Sequence, residues 1–172
     1  YEGDQAVPGV TVAVTGGDNS QENYSIHFDG NSPTSHIKLP AEVIDFKNNS
    51  AITFQAWINP DENANGAFIF SKNSTFDVIL ATGNKLKLYV LGATWETGKV
   101  LTPNEWVHLT FVAQLNSDKT QSTMSYYLNG EFIGSKTFNV SKNIDTYLNA
   151  AFYVAANSQG TNGYRGNIDE IR

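Results

Sequence analysis

The sequence of 172 residues contains no cysteine, which excludes a disulfide scaffold, a Cys-x-x-Cys zinc site and a cysteine nucleophile. Charged residues make up only 16% of the chain, whereas soluble domains usually carry about 25%. The net charge is −6 and the 11 Lys and Arg residues are scattered, so we expect no nucleic-acid partner. No apolar run approaches the roughly 18 residues of a membrane-spanning helix. The chain is instead rich in Asn, Ser and Thr, so its polarity comes mainly from uncharged groups.

Four stretches of the chain alternate apolar and polar residues with a period of two. They are AITFQAWINP (51–60), KLKLYVLG (85–92), EWVHLTFVAQ (105–114) and TMSYYLNG (123–130). Such alternation is typical of β-strands with one buried face, and Phe54, Phe111 and Tyr126 fall on the apolar faces. Helix signals are confined to residues 40–48, which predict a single turn. The sequence therefore predicts an all-β fold, a two-sheet antiparallel β-sandwich.

The first 22 residues differ in composition from the rest of the chain. They contain one strand-like patch, VTVAV (10–14), within Gly- and Pro-containing sequence that is typical of loops. We interpret residues 1–22 as an N-terminal arm or linker from an upstream domain, with an extra edge strand as the alternative, and residues 23–172 as the domain. Because the chain begins at Tyr1 without a signal segment, we expect a mature chain or a piece of a larger multidomain protein. The composition favours a secreted, periplasmic or cell-surface bacterial protein.

Six segments, taken in order, resemble one family of β-sandwich domains. They are YSIHFDG (24–30), SHIKLP (35–40), ITFQAWINP (52–60), NEWVHLTFVA (104–113), YYLNGEFIGS (126–135) and GYRGNIDEIR (163–172). Together they resemble the laminin-G-like, concanavalin A-like lectin/glucanase family, in its bacterial secreted form, over roughly residues 24–172. The resemblance implies a concanavalin A-like jelly roll, whose members mostly bind carbohydrate or another protein, often beside an enzyme. Because a fold does not define a function, activity has to be judged from the residues.

The carboxylate pattern of a retaining glycosidase is absent from the sequence. Such enzymes need two carboxyl groups about 5–5.5 Å apart, which the pattern Glu-x-Asp-x-x-x-Glu provides on a jelly-roll strand. Asn167 stands two residues before Asp169, and a strand would send Asp169 and Glu170 to opposite faces. The other acidic pair, Glu42 and Asp45, lies on the suspected helical turn. We therefore expect no catalytic residues and a protein that is not an enzyme.

The resemblance also implies a structural calcium site. Asp29 and Asp169 match recurrent acidic positions of the family, in which the first and last strands are neighbours and share a calcium ion in several members. Gly30 could add a backbone carbonyl oxygen, since calcium takes hard oxygen ligands. The alternative is that Asp29 caps its own turn as an Asx motif and that Asp169 pairs with Arg165 or Arg172. A calcium ion at this place would brace strand ends and take no part in chemistry.

The polar faces of the predicted strands carry aromatic residues that suit sugar binding. The apolar C–H face of a pyranose packs on an exposed aromatic ring, while its hydroxyl groups pair with side-chain amides. The candidates are Trp57, Tyr89, His108 and Tyr127, with Gln55 and Asn129 beside them. If these strands share a sheet, they form one aromatic and amide-bearing surface. The alternative for Trp57 is a scaffold role, because large aromatic side chains are usually mostly buried.

Two loop segments supply further candidates for carbohydrate binding. Trp95, in GATWETG (92–98), reads as part of a loop or hairpin tip, where binding and packing suit an exposed Trp equally. The second set lies near the end of the chain, and a solvated Gly/Asn connection is its alternative. Its members are Tyr153, Asn157, Gln159, Asn162, Tyr164 and Arg165.

These observations favour a non-catalytic, lectin-like carbohydrate-binding module of a secreted or cell-surface protein, with calcium as a structural brace. The expected partner is a glycan or polysaccharide. The first alternative is a laminin-G-type adhesion module that binds protein, which an exposed apolar patch without a cleft would favour. A glycoside hydrolase is the second alternative and would require two carboxyl groups facing each other in a cleft.

Overall fold

The computed structural model describes residues 10–15, 23–31, 34–43, 49–61, 64–73, 75–141 and 149–172. Within them lie thirteen strands and one 3-10 turn, Ala41–Val43. The strands are β1 Val10–Thr15, β2 Asn23–Asp29, β3 Ile37–Leu39, β4 Ala51–Pro60, β5 Ala67–Lys72, β6 Phe76–Ala81, β7 Lys85–Val90, β8 Ala93–Val100, β9 Val107–Leu115, β10 Gln121–Leu128, β11 Glu131–Asn139, β12 Phe152–Val154 and β13 Arg165–Asp169. In this part of the chain, no helix is long and apolar enough to cross a membrane.

The strands form two antiparallel sheets, as the alternation predicts. The seven-stranded sheet has the order β1-β2-β13-β4-β9-β10-β11, and the six-stranded sheet has the order β3-β12-β5-β6-β7-β8. The all-β sandwich of two sheets is therefore confirmed. The helical turn within 40–48 is present as Ala41–Val43, whereas 44–48, which include Asp45, lie outside the described residues.

The core is filled by the apolar faces that the period of two assigns inward. Phe54 of the seven-stranded sheet meets Phe70 of the six-stranded sheet at a ring-centroid distance of 4.0 Å. Phe111 likewise meets Phe76 across the sandwich at 5.0 Å. Phe54, Phe111 and Tyr126 are all buried, as expected. Since burying one such side chain contributes about 1.5–3 kcal/mol, these contacts between sheets stabilise the sandwich.

The predicted arm contains a strand that joins the seven-stranded sheet. Residues of β1 pair with β2 along its whole length, from Val10 opposite Phe28 to Thr15 opposite Asn23. This pairing agrees with the edge-strand alternative for residues 10–15, while the interpretation of residues 1–22 as an arm or linker from an upstream domain stays a prediction. Residues 1–9 and 16–22 lie outside the described residues, and the domain boundary at residue 23 stays a prediction.

The last strand, β13, takes a central place in the seven-stranded sheet between β2 and β4. It passes β4 so closely that a Cβ atom on Gly166 would overlap the carbonyl oxygen of Asn59 and lie 2.7 Å from the Tyr164 hydroxyl. Gly166 also has a φ of +139°, a backbone conformation that side chains rarely adopt. Glycine is therefore required where β13 enters the sheet.

Candidate functional site

The outer side of the seven-stranded sheet brings several predicted residues together. One row runs across four neighbouring strands, and its members are Gln55, Thr110, Tyr127 and Phe132. In the next row Trp57 lies opposite His108 on β9. We call Gln55, Trp57, His108, Thr110, Tyr127 and Phe132 the seven-stranded face. The prediction that Trp57, His108 and Tyr127 share a sheet surface agrees with this placement.

The aromatic rings of the seven-stranded face form two pairs. The Trp57 ring lies 5.1 Å from the His108 ring, and the Tyr127 ring lies 5.4 Å from the Phe132 ring in an edge-on arrangement. Trp57 remains 36% exposed and Phe132 54% exposed. Large aromatic side chains in contact with solvent are the exception in folded proteins, so this surface stands out as a candidate binding site.

Uncharged polar groups surround these rings. Two hydroxyl pairs join β10 to β11 on the same side of the sheet, Thr123 to Thr137 at 2.9 Å and Ser125 to Ser135 at 3.0 Å. Asn129 has a local role instead, because its Oδ1 accepts the backbone N–H of His108. The face thus offers hydroxyl and amide groups beside aromatic rings.

Tyr89 does not belong to this surface. It lies on β7 of the six-stranded sheet, between Asp77 of β6 and Thr94 of β8. The expectation that all the candidate strands share one sheet is therefore wrong for Tyr89. Alternation within a strand identifies its outward residues, but it does not reveal which sheet the strand joins.

Trp95 lies within strand β8, so its placement on a loop is wrong. It stands opposite Leu88, which faces the core, and its ring packs edge-on against the Tyr126 ring at 5.2 Å. Its edge also lies close to Gly134 of β11, where an added Cβ would be 3.3 Å away. The contacts of Trp95 are therefore those of a packing residue that joins the two sheets.

The predicted binding residues near the end of the chain do not form one surface. Tyr164 is fully buried, and burial together with the charge of Asp61 raises the pKa of its phenol well above its usual value. A buried ring cannot stack on a sugar, so the binding role predicted for Tyr164 is wrong. Asn157 organises its own loop, because its Oδ1 accepts the backbone N–H groups of Gln159 and Thr161.

Arg165 lines a cleft at one end of the sandwich. The cleft has a volume of about 290 Å³, and its polar walls include Asp29, Asn65, Asn162 and Arg165. The Nε atom of Arg165 lies 3.7 Å from Asp61 Oδ2, which also accepts a hydrogen bond from His27 Nε2 at 2.8 Å. We call this pocket the loop-end cleft. Arg165, which forms part of its wall, thus already has Asp61 as a partner.

The structure separates the two carboxylates of the predicted calcium site. Asp29 lies opposite Arg165 at the start of β13, and Asp169 lies four residues further along that strand. At 3.3 Å per residue this places them about 13 Å apart, too far to share an ion. Within the described part of the chain, no group of three or more His, Asp or Glu side chains could hold a metal ion. Calcium itself stays an untested prediction.

The surroundings of Asp29 match the alternative role, a cap of its own turn. Its Oδ1 accepts the Asn31 backbone N–H at 2.8 Å, and its Oδ2 accepts the Asn31 side-chain amide at 3.0 Å. The hydrogen bond from the Asn31 backbone lowers the pKa of the Asp29 carboxyl. Gly30 follows with a φ of +76°, as the turn requires.

Several residues of interest gave only a weak signal in the sequence. Phe132 lies next to a β-bulge of β11: Gly134 is opposite Tyr126 of β10 and Phe132 is opposite Tyr127, so simple alternation along β11 does not assign the face of Phe132. Asp77 lies in FDVILA (76–81), whose outward positions include the apolar Ile79. The strand therefore resembles a fully buried one, and the sequence does not indicate that Asp77 is a candidate site residue.

The fold and these surfaces define the class of protein. Residues 29–172 match the family model of the concanavalin A-like lectin/glucanases superfamily, in its laminin-G-like form. The chain belongs to this family. No curated protein sequence matches it.

Several solved structures are similar to this chain at low sequence identity. One is described as a candidate carbohydrate binding protein from Bacteroides ovatus and is 17% identical, with a TM-score of 0.57. The match covers 80% of this chain and 40% of the Bacteroides chain. The receptor binding domain of botulinum neurotoxin type G is 13% identical with a TM-score of 0.60, covering 97% and 41%. The leech intramolecular trans-sialidase is 13% identical with a TM-score of 0.49, covering 79% and 24%.

The chain thus spans about two fifths of the length of the first two structures and less of the third. At these identities the likeness shows the fold alone. Because a shared fold does not define a function, the surfaces of this chain have to indicate what it does.

Proposed function

We propose that the chain is a carbohydrate-binding module and that it binds uncharged glycans on the seven-stranded face. The observation that carries this proposal is the pair of exposed aromatic clusters, Trp57 with His108 and Tyr127 with Phe132, joined by a polar row. A family that includes lectins supports the same conclusion.

The chemistry of the face suits the two sides of a sugar. The rings of Trp57 and Phe132 provide apolar planes for pyranose C–H groups, and burial of such surface contributes about 25 cal/mol per Å². The amide of Gln55 and the hydroxyl of Thr110 lie in the row between the two clusters and can pair with sugar hydroxyls.

Charge favours a neutral ligand. The outward residues of β4, β9 and β10 around the rings include no Lys, Arg, Asp or Glu. These residues are Thr53, Gln55, Trp57, His108, Thr110, Val112, Gln114, Thr123, Ser125 and Tyr127. Asp169 of β13 lies opposite Trp57 in the sheet register. With a net charge of −6, the protein would repel acidic polysaccharides.

A glycan array of neutral and acidic oligosaccharides tests this function, followed by titration of the best neutral binder. Trp57→Ala combined with Phe132→Ala should weaken binding at least ten-fold, which corresponds to about 1.4 kcal/mol. Tyr24→Ala is the matched control, because Tyr24 is also exposed, at 44%, but lies on β2, three strands away from β9. The control should bind like the unmodified chain.

Two outcomes would contradict the proposal. If the double variant binds glycans as tightly as the unmodified chain, the seven-stranded face is not the binding site. If the folded protein binds no glycan on the array, the lectin-like function is excluded. The second outcome would favour the protein-binding alternative.

We also propose that the module is non-catalytic. The acidic pattern of a retaining glycosidase is not met on β13, where Asn167 takes the place of the first carboxylate. Unchanged length of a bound oligosaccharide after prolonged incubation, measured by mass spectrometry, is the expected result.

A further inference from the structure

A second polar row crosses the outer side of the six-stranded sheet. The strand register joins six residues in a line, and they are Lys38, Tyr153, Ser71, Asp77, Tyr89 and Thr94. With strands about 4.8 Å apart, the middle of this line places Asp77 between two tyrosines, next to Tyr89 and about 10 Å from Tyr153. We call Tyr153, Ser71, Asp77 and Tyr89 the tyrosine–aspartate row. It lies on the opposite side of the sandwich from the seven-stranded face.

The Asp77 carboxylate is partly buried in this row, and it accepts hydrogen bonds from the Ser71 hydroxyl and the Lys72 backbone. The Ser71 hydroxyl donates to Asp77 Oδ1 at 2.6 Å. Among the residues that the structure describes, none forms an ion pair with Asp77. The nearest cation on β7, Lys87, lies opposite Ile79 and pairs with Glu96 of β8 at 3.6 Å.

A carboxylate with no cationic partner among the described residues is suited to a cationic ligand. Burial penalises the charged form and raises the pKa of Asp77 to about 6, although the hydrogen bonds from Ser71 and Lys72 oppose this shift, so the group is ionised at pH 7. An ammonium group within about 4 Å would stabilise the charged form. Tyrosine rings favour the same ligand, because their faces attract cations; the Lys38 ammonium already lies 5.8 Å from the centre of the Tyr153 ring.

We infer that the tyrosine–aspartate row binds an amino sugar, with its protonated primary amine on Asp77 and its ring against the tyrosines. The hydroxyl groups of Thr94 and the tyrosines lie along the same row and can meet the sugar hydroxyls. The choice of a sugar over another amine rests on the proposed function, whereas the site is separate from the seven-stranded face.

Titration with short oligomers of glucosamine at pH 7 tests this inference, with N-acetylglucosamine oligomers of equal length as the comparison. Acetylation removes the charge and leaves the sugar ring in place. We expect at least ten-fold tighter binding of the amine form. Asp77→Asn should abolish this preference, because it keeps the size of the side chain and an oxygen that can accept the Ser71 hydrogen bond.

Two controls separate a specific site from general attraction to an acidic protein. Glu131→Gln removes the same charge from an exposed position on β11 and should leave the preference intact. The titrations are repeated with Trp57→Ala combined with Phe132→Ala, because N-acetylglucosamine oligomers are neutral glycans and could otherwise bind the seven-stranded face on the other sheet. If the double variant loses neutral glycans but keeps the amine preference, the two sites are independent.

The inference fails if acetylated and free amines bind equally, or if Asp77→Asn and Glu131→Gln weaken binding to the same extent. A lysine-containing peptide is the third probe. If it binds at the same site more tightly than the glucosamine oligomer, the ligand is a protein amine and the assignment to a sugar is overturned. Measured in the Trp57→Ala, Phe132→Ala background, these outcomes do not depend on whether neutral glycans bind the seven-stranded face.

Discussion

At the scale of single residues, the ionisation of Asp77 depends more on its environment than on its residue type. Its sequence context, between Phe76 and Val78, indicates only an outward position on an apolar strand. The structure places it beside Ser71 and Tyr89 in a half-buried row, where desolvation outweighs the hydrogen bonds that favour the charged form. The same residue type at Asp29, at a turn, has a lowered pKa because backbone and side-chain donors surround it. Environment therefore decides the charge of each acid.

The raised pKa of Asp77 predicts a pH-dependent contribution to stability. Its folded-state pKa of about 6 lies above the ordinary value of 3.8, so the folded protein binds this proton more tightly than the unfolded chain. The contribution is fully present below pH 3.8 and is lost as the pH rises through 6. At pH 7 the charged group therefore costs up to about 3 kcal/mol.

Asp77→Asn should remove this dependence. The titratable and charged neighbours are Tyr89 and Lys87 on β7, with Glu96 beyond them on β8. Urea unfolding at pH 4 and pH 7 should show that the variant gains stability relative to the unmodified chain as the pH rises. A difference between the two proteins that is constant across this range would contradict the raised pKa.

At the scale of elements, Trp95 packs strand β8 against the opposite sheet. β8 is the edge of the six-stranded sheet, and Trp95 reaches from it to Tyr126 of β10 and Phe138 of β11. Gly134 leaves room for the indole on β11. The segment between Gly92 and Gly98 resembles a loop in the sequence, but it belongs to strand β8. Its Trp95 packs between the two sheets.

Trp95→Ala should therefore destabilise the fold without a specific effect on ligand binding. Loss of the indole leaves a cavity between the sheets, for which we expect about 3 kcal/mol. Thermal unfolding should show a melting temperature about 6–12 °C lower. The melting temperature of Trp95→Phe should fall less. Below its melting temperature, Trp95→Ala should bind glycans with unchanged affinity. A selective loss of affinity in a stably folded variant would restore the binding role.

At the scale of the whole molecule, the chain closes its larger sheet with its last strand. β13 lies between β2 and β4, whereas β1 lies at the edge of the same sheet. The backbone of Arg172 extends this closure, since it exchanges two hydrogen bonds with Gln55 at 2.9 and 3.0 Å. Distant parts of the chain therefore have to meet before the sheet is complete, which is typical of slowly folding β-sandwiches.

This topology predicts different effects of shortening the two ends. A chain of residues 23–172 loses only an edge strand and should still unfold cooperatively, with a melting temperature lower by about 4–8 °C for a loss of about 2 kcal/mol. A chain of residues 1–164 loses a central strand and should not fold. Circular dichroism during heating distinguishes the two, and failure of 23–172 to fold would show that the domain begins earlier.

The sequence by itself determined the period of two, the inward aromatic set and the fold class. Alternation along a strand is a local property, so Phe54 and Phe111 could be assigned to the core without any knowledge of their partners. The family resemblance rests on motifs in fixed order, and it too can be read along the chain. For the same reason, Trp57, Gln55 and Tyr127 could be identified as outward residues.

Only the tertiary structure decided which outward residues share a surface. Tyr89 and Trp57 follow the same local pattern but lie on different sheets. Asp29, at the end of β2, lies opposite the first residue of β13, whereas Asp169 is the last residue of β13. Trp95 and Tyr164 become packing residues because partners distant in sequence cover them. Strand order depends on contacts between segments far apart in the chain, and these contacts leave no local pattern.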